Sequence, residues 1–439
     1  MSLLKKSLND TVFYTIATAS GKVASLLIIP FLNTLLSVEK FGEYDLFLIA
    51  SSFTILIIGF GIDSGFSILI SENKDNKKLL GYLFTKSLLI SVSALIFLTV
   101  LGYVINLYNY FFNFYILFLL VLYVMFSYIT YAVFNFIRWI GNAKMAALIN
   151  FVSSVSGILF GIALLYFYER VIESLFLGMV IGSFLGTVLS LVIVKEYLIF
   201  RNVEGGKKKL KELFKISIPF VPTYLSNSFS AFTDRFIILS FIGDIYFIGL
   251  YALLYRVSQI GSLAVTIISK GFLPVMYQNY ESEDGREFNK KVFDLFVISL
   301  IPIFIFIILS KEILIKLLGG ANSQDYLIYA HLLPSIFLSS VIFSGMAING
   351  FGFTIKRKTI YVSFISIFGV LINFIISYIF VPTYGFPIII TSTILSSIIS
   401  ASIYTIMSEK LFKFNYNLKI MGAIYLILFV ISQIFIYKN

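Results

Sequence analysis

The 439-residue sequence contains no cysteine, one histidine and one tryptophan, and only 13% of its residues are charged. Without cysteine there is no disulfide and no thiolate chemistry. One histidine removes any multi-histidine metal site. The low charge is the more restrictive absence. A soluble domain is about half apolar and about a quarter charged, whereas this chain is 59% apolar with a mean hydropathy of +0.97. One buried core cannot absorb that surplus, because the surface around it must stay polar. These proportions exclude a soluble enzyme, a disordered chain and a single-span receptor. No G-x-x-x-x-G-K-[ST] phosphate loop is present, so ATP would have to act through another subunit.

What is present is a succession of apolar runs. Each crossing needs about 20 mostly apolar residues. Thirteen such runs follow one another: 12–36, 44–70, 81–104, 110–134, 146–168, 172–194, 216–241, 247–270, 291–309, 326–351, 359–381, 385–408 and 418–437. They are too continuous for the alternating strands of a barrel, and lipid leaves the backbone no partners outside itself, so helices are predicted. The first run continues past Ala17-Thr18-Ala19 and reads as a span, not a cleaved leader. With the N-terminus in the cytoplasm, loop Lys and Arg residues divide 23 inside to 5 outside. That bias fixes the orientation and explains the formal net charge of +11 without nucleic acid.

The organisation predicted is an N-terminal bundle over 1–194, a basic cytoplasmic linker over 195–215, a C-terminal bundle over 216–408, and an additional span within 409–439. The Lys207–Lys211 cluster reads as a solvated linker near anionic headgroups. Two stretches recur. Phe41-Gly42-Glu43-Tyr44 returns as Ile248-Gly249-Leu250-Tyr251, and Asn135 to Lys144 returns as Asn349 to Lys358. The similar offsets predict a parallel duplication of a six-helix unit.

At this point the chain resembles the polysaccharide-biosynthesis flippases, the Wzx-type carriers of lipid-linked oligosaccharide in the MATE/MOP superfamily. Three stretches carry the likeness: Leu36 to Leu46; Ser217-Ile218-Pro219 with Asp234-Arg235 and Gly249-Leu250-Tyr251; and Asn373 with Val381-Pro382-Thr383-Tyr384-Gly385. Phe386-Pro387-Ile388 departs from the small residues usual in that family. The resemblance implies an all-α polytopic membrane protein of two six-helix bundles around a central cavity, with a thirteenth C-terminal helix. It implies alternating access in a bacterial inner (plasma) membrane. The implied cargo is an undecaprenyl-pyrophosphate-linked O-antigen or capsule-type repeat unit, taken from the cytoplasmic to the outer leaflet. Membrane lipids are implied neighbours, a glycan polymerase a further partner, and a monomer the expected state.

Charges inside spans are costly and mark pathways or partners. Lys22 and Arg256 each lie about 15 Å into a span and are the first candidates for holding an anionic cargo. The alternative for each is an intramembrane salt bridge or a bond to helix carbonyls. Lys86 either reaches upward to cargo or downward to lipid phosphate. Asp234 and Arg235 are adjacent, so they point about 100° apart. One is expected to pair across to another helix while the other faces the cavity, as a packing bridge or a gate. Asp63 follows Gly59 and Gly61, where the helix loosens. It reads as an interfacial partner for a lysine or as a coupling carboxylate. His331, near a span end, reads as a hydrogen-bonded interfacial histidine or a proton-coupling group. No resident cofactor is expected, and transport would draw on an ion gradient or on consumption of the product.

Two other functions remain open from sequence. A MATE-type cation or drug antiporter should line its site with carboxylates, whereas the deepest charges here are cations. A membrane glycan polymerase or glycosyltransferase should carry a catalytic carboxylate set on a sizeable loop, and the outer loops are short.

Overall fold

The computed structural model describes residues 26–73, 76–104, 113–168, 171–356, 358 and 360–437. Helix is the only regular secondary structure among them. In chain order the helices are α1 (Leu26–Leu35), α2 (Val38–Ile58), α3 (Ile62–Glu72), α4 (Lys77–Val104), α5 (Phe114–Ile140), α6 (Ala143–Phe167), α7 (Ile172–Val194), α8 (Gly206–Ser217) and α9 (Val221–Ile237). They continue as α10 (Ile245–Asn279), α11 (Glu283–Leu318), α12 (Ser323–Ile328), α13 (Leu333–Asn349), α14 (Phe351–Ile355), α15 (Ile360–Tyr384), α16 (Pro387–Leu411) and α17 (Leu418–Tyr437). Among the described residues, eleven segments are long and apolar enough to cross a bilayer. The physical cause is the one given above: in hydrocarbon, a helix satisfies every backbone group within itself.

The span expected over 44–70 is two helices. It breaks at Gly59-Phe60-Gly61, where Phe60 and Gly61 take left-handed φ values of 48° and 67°. The span expected over 216–241 runs through α9 into a π-helical turn, Ile238–Ile242, closed by Gly243. The region expected as linker is partly ordered as α8. Its Leu210, Leu213 and Phe214 join a core formed by Phe66, Leu69, Leu83 and Phe136. Its Lys207, Lys208, Lys211 and Lys215 are exposed. That is the amphipathic division of a surface helix.

The chain forms two compact units. One comprises 26–28 and Leu46–Ser228, the other Ile29–Asp45 and Phe229–Asn439. In the first unit, α6 and α7 approach closely because Gly157 and Gly161 of α6 face Gly182 and Gly178 of α7. Small residues at such seams let backbones touch where water-driven association is absent. Thr187 of α7 ties the same layer to α5 through the Phe126 carbonyl at 2.8 Å.

In the second unit, the 29–45 segment is held by polar bonds at its start and by glycine packing further on. Asn33 donates to the Leu318 carbonyl at 3.0 Å and accepts from Tyr326 at 2.7 Å. Asn322 donates to the carbonyls of Asn33 and Leu36. Gly42 then crosses Gly249. A methyl group on Gly42 would lie 2.6 Å from the Ile245 carbonyl oxygen and 2.9 Å from the Gly249 nitrogen, so only glycine fits. The Phe41–Tyr44 stretch and its repeat, Ile248–Tyr251, therefore pack on each other.

Candidate functional site

The lower part of α2 explains how the central charges are brought together. Glu39, Lys40 and Glu43 make its first turns look like loop, yet Lys40 and Glu43 pair at 2.8 Å and the helix begins at Val38. Asp45 therefore lies about 10 Å into a helix rather than at a loop edge, and it is 4% exposed.

A carboxylate buried to that degree must be paired. Asp45 accepts from two arginines of the second unit. Arg235, in the last turn of α9, donates from both Nε and Nη2 to one carboxylate oxygen at 2.9 Å. Arg256, on α10, donates from Nη2 to the other oxygen at 3.2 Å. The two cations differ in commitment. Arg235 is 2% exposed and its guanidinium lies 4.7 Å and 4.9 Å from the ring centres of Tyr251 and Tyr255. Arg256 retains 15% side-chain exposure and rests over Tyr44 and Phe41 at 5.0 Å and 5.5 Å. Its buried Nε has no hydrogen-bond partner. Arg256 is thus ion-paired but keeps donors to offer.

Asp234 turns the other way, as the 100° step requires. It accepts from the Tyr251 hydroxyl at 2.5 Å and from Asn373 Nδ2 at 2.9 Å. Asn373 Oδ1 in turn accepts from Ser392 at 2.7 Å and from Ser377 at 3.3 Å. Asp234 and Arg235 are both buried, and each reaches across to a different helix.

Asp63, at the start of α3 in the first unit, meets an arginine rather than a lysine. Arg138 Nη2 lies 3.1 Å and 3.3 Å from its two oxygens, and the indole of Trp139 donates to it at 2.6 Å. Lys86, half-buried on α4, lies 5.8 Å from the Tyr82 ring centre. His331 sits in a 3-10 turn with Nδ1 3.1 Å from the Ile328 carbonyl. Lys22 lies outside the described residues.

Of the residues singled out from sequence, the structure joins Arg235 and Arg256 through one carboxylate and sets Asp234 beside them. Asp63, Lys86 and His331 lie apart from that cluster. Asp45 and Tyr251 are members the sequence reading did not name as site residues. The signal for Asp45 was available, since it is an acidic residue followed by thirteen residues without charge, Leu46 to Ile58. Among the described residues, no group of three or more acidic or histidine side chains is placed to hold a metal ion.

Comparison with known proteins identifies the family and the fold. The family described as polysaccharide biosynthesis protein matches residues 7–280, more than half of the chain. A protein of the Lsg locus of Haemophilus influenzae is 21% identical over 326 residues, 72% of this chain and 77% of the relative. Among solved structures, an inward-facing multidrug resistance MATE transporter of the MOP superfamily superposes with a TM-score of 0.71. It is 13% identical, with 92% of this chain and 96% of that one covered. The lipid II flippase MurJ, in an inward closed conformation, gives a TM-score of 0.61 at 18% identity, with 97% and 99% covered. These neighbours by fold are transporters rather than enzymes. The chain belongs to the polysaccharide biosynthesis protein family and is a multi-pass membrane protein with a MATE-like fold.

Proposed function

We propose that the chain is a flippase. It carries an undecaprenyl-pyrophosphate-linked oligosaccharide, an O-antigen or capsule-type repeat unit, from the cytoplasmic to the outer leaflet by alternating access. Arg256 holds the pyrophosphate during passage. The observation that carries this reading is the state of Arg256: about 16 Å along its helix, half-committed to Asp45, with an unpartnered Nε and residual exposure. A guanidinium binds phosphate oxygens through a planar fork, and the attraction strengthens where water is scarce. Family membership and the likeness to a lipid II flippase support the same class of cargo.

Lys22, Arg235 and Lys86 are secondary cations in this scheme. Asp234, Asp63 and His331 are the groups available for gating or for coupling to an ion gradient. The protein works as a monomer in the bacterial inner membrane with its N-terminus in the cytoplasm, beside the polymerase that consumes its product. A MATE-type antiporter of organic cations fits the cluster less well. Asp45 is saturated by two arginines and Asp234 by Tyr251 and Asn373, which leaves neither carboxylate for a cationic drug.

The test is transbilayer movement of a lipid-linked oligosaccharide in proteoliposomes. Arg256→Ala should abolish it and Arg256→Lys should retain part of it, with both variants inserted at wild-type levels. Full transport by Arg256→Ala would refute the assignment.

A further inference from the structure

For a chain that spans hydrocarbon, an apolar cleft is a place where a lipid chain can lie without desolvating anything. The second unit has such a cleft among α10, α11 and α13, with a volume of about 470 Å³. That lies within the range of ligand-holding pockets. Its floor is buried Phe296, Phe337 and Val341. Its rim is Ile268, Leu295 and Phe306, which are 52%, 66% and 63% exposed. Ser299 is the one polar side chain among the described lining residues, and its hydroxyl is already bonded to the Phe296 carbonyl at 2.7 Å. Among the described residues, the cleft therefore presents no free polar group. It follows α11 from Val292 to Phe306, about 21 Å at the rise of a helix.

The position of this cleft identifies its occupant. Ile260 and Ala264, on its α10 wall, lie one and two turns after Arg256, on the neighbouring part of the same helix face. A cation with free donors and an apolar channel thus follow one another along a single helix. A molecule with a pyrophosphate head and a long hydrocarbon tail needs that order. We infer that the cleft receives the polyprenyl tail of the cargo while its pyrophosphate rests at Arg256. This rests on the flippase reading and adds the tail's path to it. The tail stays in hydrocarbon throughout, so only the head and sugars need a polar route.

The absence of native cysteine makes the test clean. Leu295→Cys, labelled with a polarity-sensitive fluorophore, is placed in nanodiscs of phosphatidylethanolamine and phosphatidylglycerol and titrated with undecaprenyl pyrophosphate. A saturable spectral change is expected. Ala264→Trp should weaken it about tenfold, the loss when roughly two methylene groups forfeit their contacts. Ser299→Phe, from the opposite wall, should do the same and guards against a folding defect in either variant. Arg256→Ala should weaken it as well, and extra phosphatidylglycerol should not reproduce it. If phosphatidylglycerol gives the same response, the cleft holds ordinary acyl chains and the inference is overturned. If both filling variants bind normally while Arg256→Ala does not, the tail lies elsewhere and the flippase reading stands. If neither the filling variants nor Arg256→Ala changes the titration, Arg256 does not hold the head, and both readings fall.

Discussion

The shared carboxylate makes a quantitative prediction. Asp45→Asn preserves shape but removes the negative charge between Arg235 and Arg256. Removing one partner of a buried ion pair costs about 3–5 kcal/mol, because the other charge is left uncompensated. The loss should not be divided equally between the arginines. Arg235 gives Asp45 two bonds at 2.9 Å from a fully buried position, whereas Arg256 gives one at 3.2 Å and is partly exposed. With charge-assisted bonds worth about 1.5–3 kcal/mol, the Asp45–Arg235 coupling should be about 3 kcal/mol. The Asp45–Arg256 coupling should be about 1 kcal/mol, discounted for solvent screening. Two double-mutant cycles measure this, pairing Asp45→Asn with Arg235→Gln and with Arg256→Gln. Unfolding would be followed by circular dichroism on titration with sodium dodecyl sulfate in mixed micelles. The stacking of Arg235 on Tyr251 and Tyr255 is lost along both arms of its cycle and cancels. Equal couplings, or an Asp45→Asn loss below about 1 kcal/mol, would refute the hierarchy.

Three further outcomes are expected. Gly42→Ala should destabilise the second unit by about 1–3 kcal/mol, since its methyl has no room against α10, and thermal unfolding in detergent reads this directly. Asp63→Asn should shift the emission of Trp139, the chain's one tryptophan, to longer wavelength as the indole loses its ionic acceptor. Unchanged emission would mean that the bond is not kept in solution. For topology, Lys208→Cys on the exposed face of α8 should react with a membrane-impermeant maleimide only after the inner face is opened. Reaction in intact cells would reverse the proposed orientation.

Most of the fold was legible because lipid leaves the chain few choices. Ile172–Val194 and Leu418–Tyr437 match the spans predicted over 172–194 and 418–437. Errors arose where charge hides a helix. Glu39, Lys40 and Glu43 lower the hydropathy of the first two turns of α2, so the predicted span starts at residue 44 and Asp45 falls at its edge. The lysines of α8 likewise concealed the one-sided spacing of Leu210, Leu213 and Phe214. Arg256 was visible as a deep cation. Its partner was not, because the two are 211 positions apart in sequence and only the folded chain joins them. The break at Phe60 was hinted at by its flanking glycines, but a left-handed phenylalanine is a tertiary outcome that no local pattern announces.

The unequal sharing of Asp45 also sets an order of release. In the proposed transport cycle, an arriving anion that drew Arg256 aside would break its one bond to Asp45, and the carboxylate would keep Arg235. Asp45 and Arg235 would then remain as a fixed post while Arg256 served as the swinging latch. When the passenger departs, the latch has a nearby seat to return to and is never stranded as a bare charge in oil.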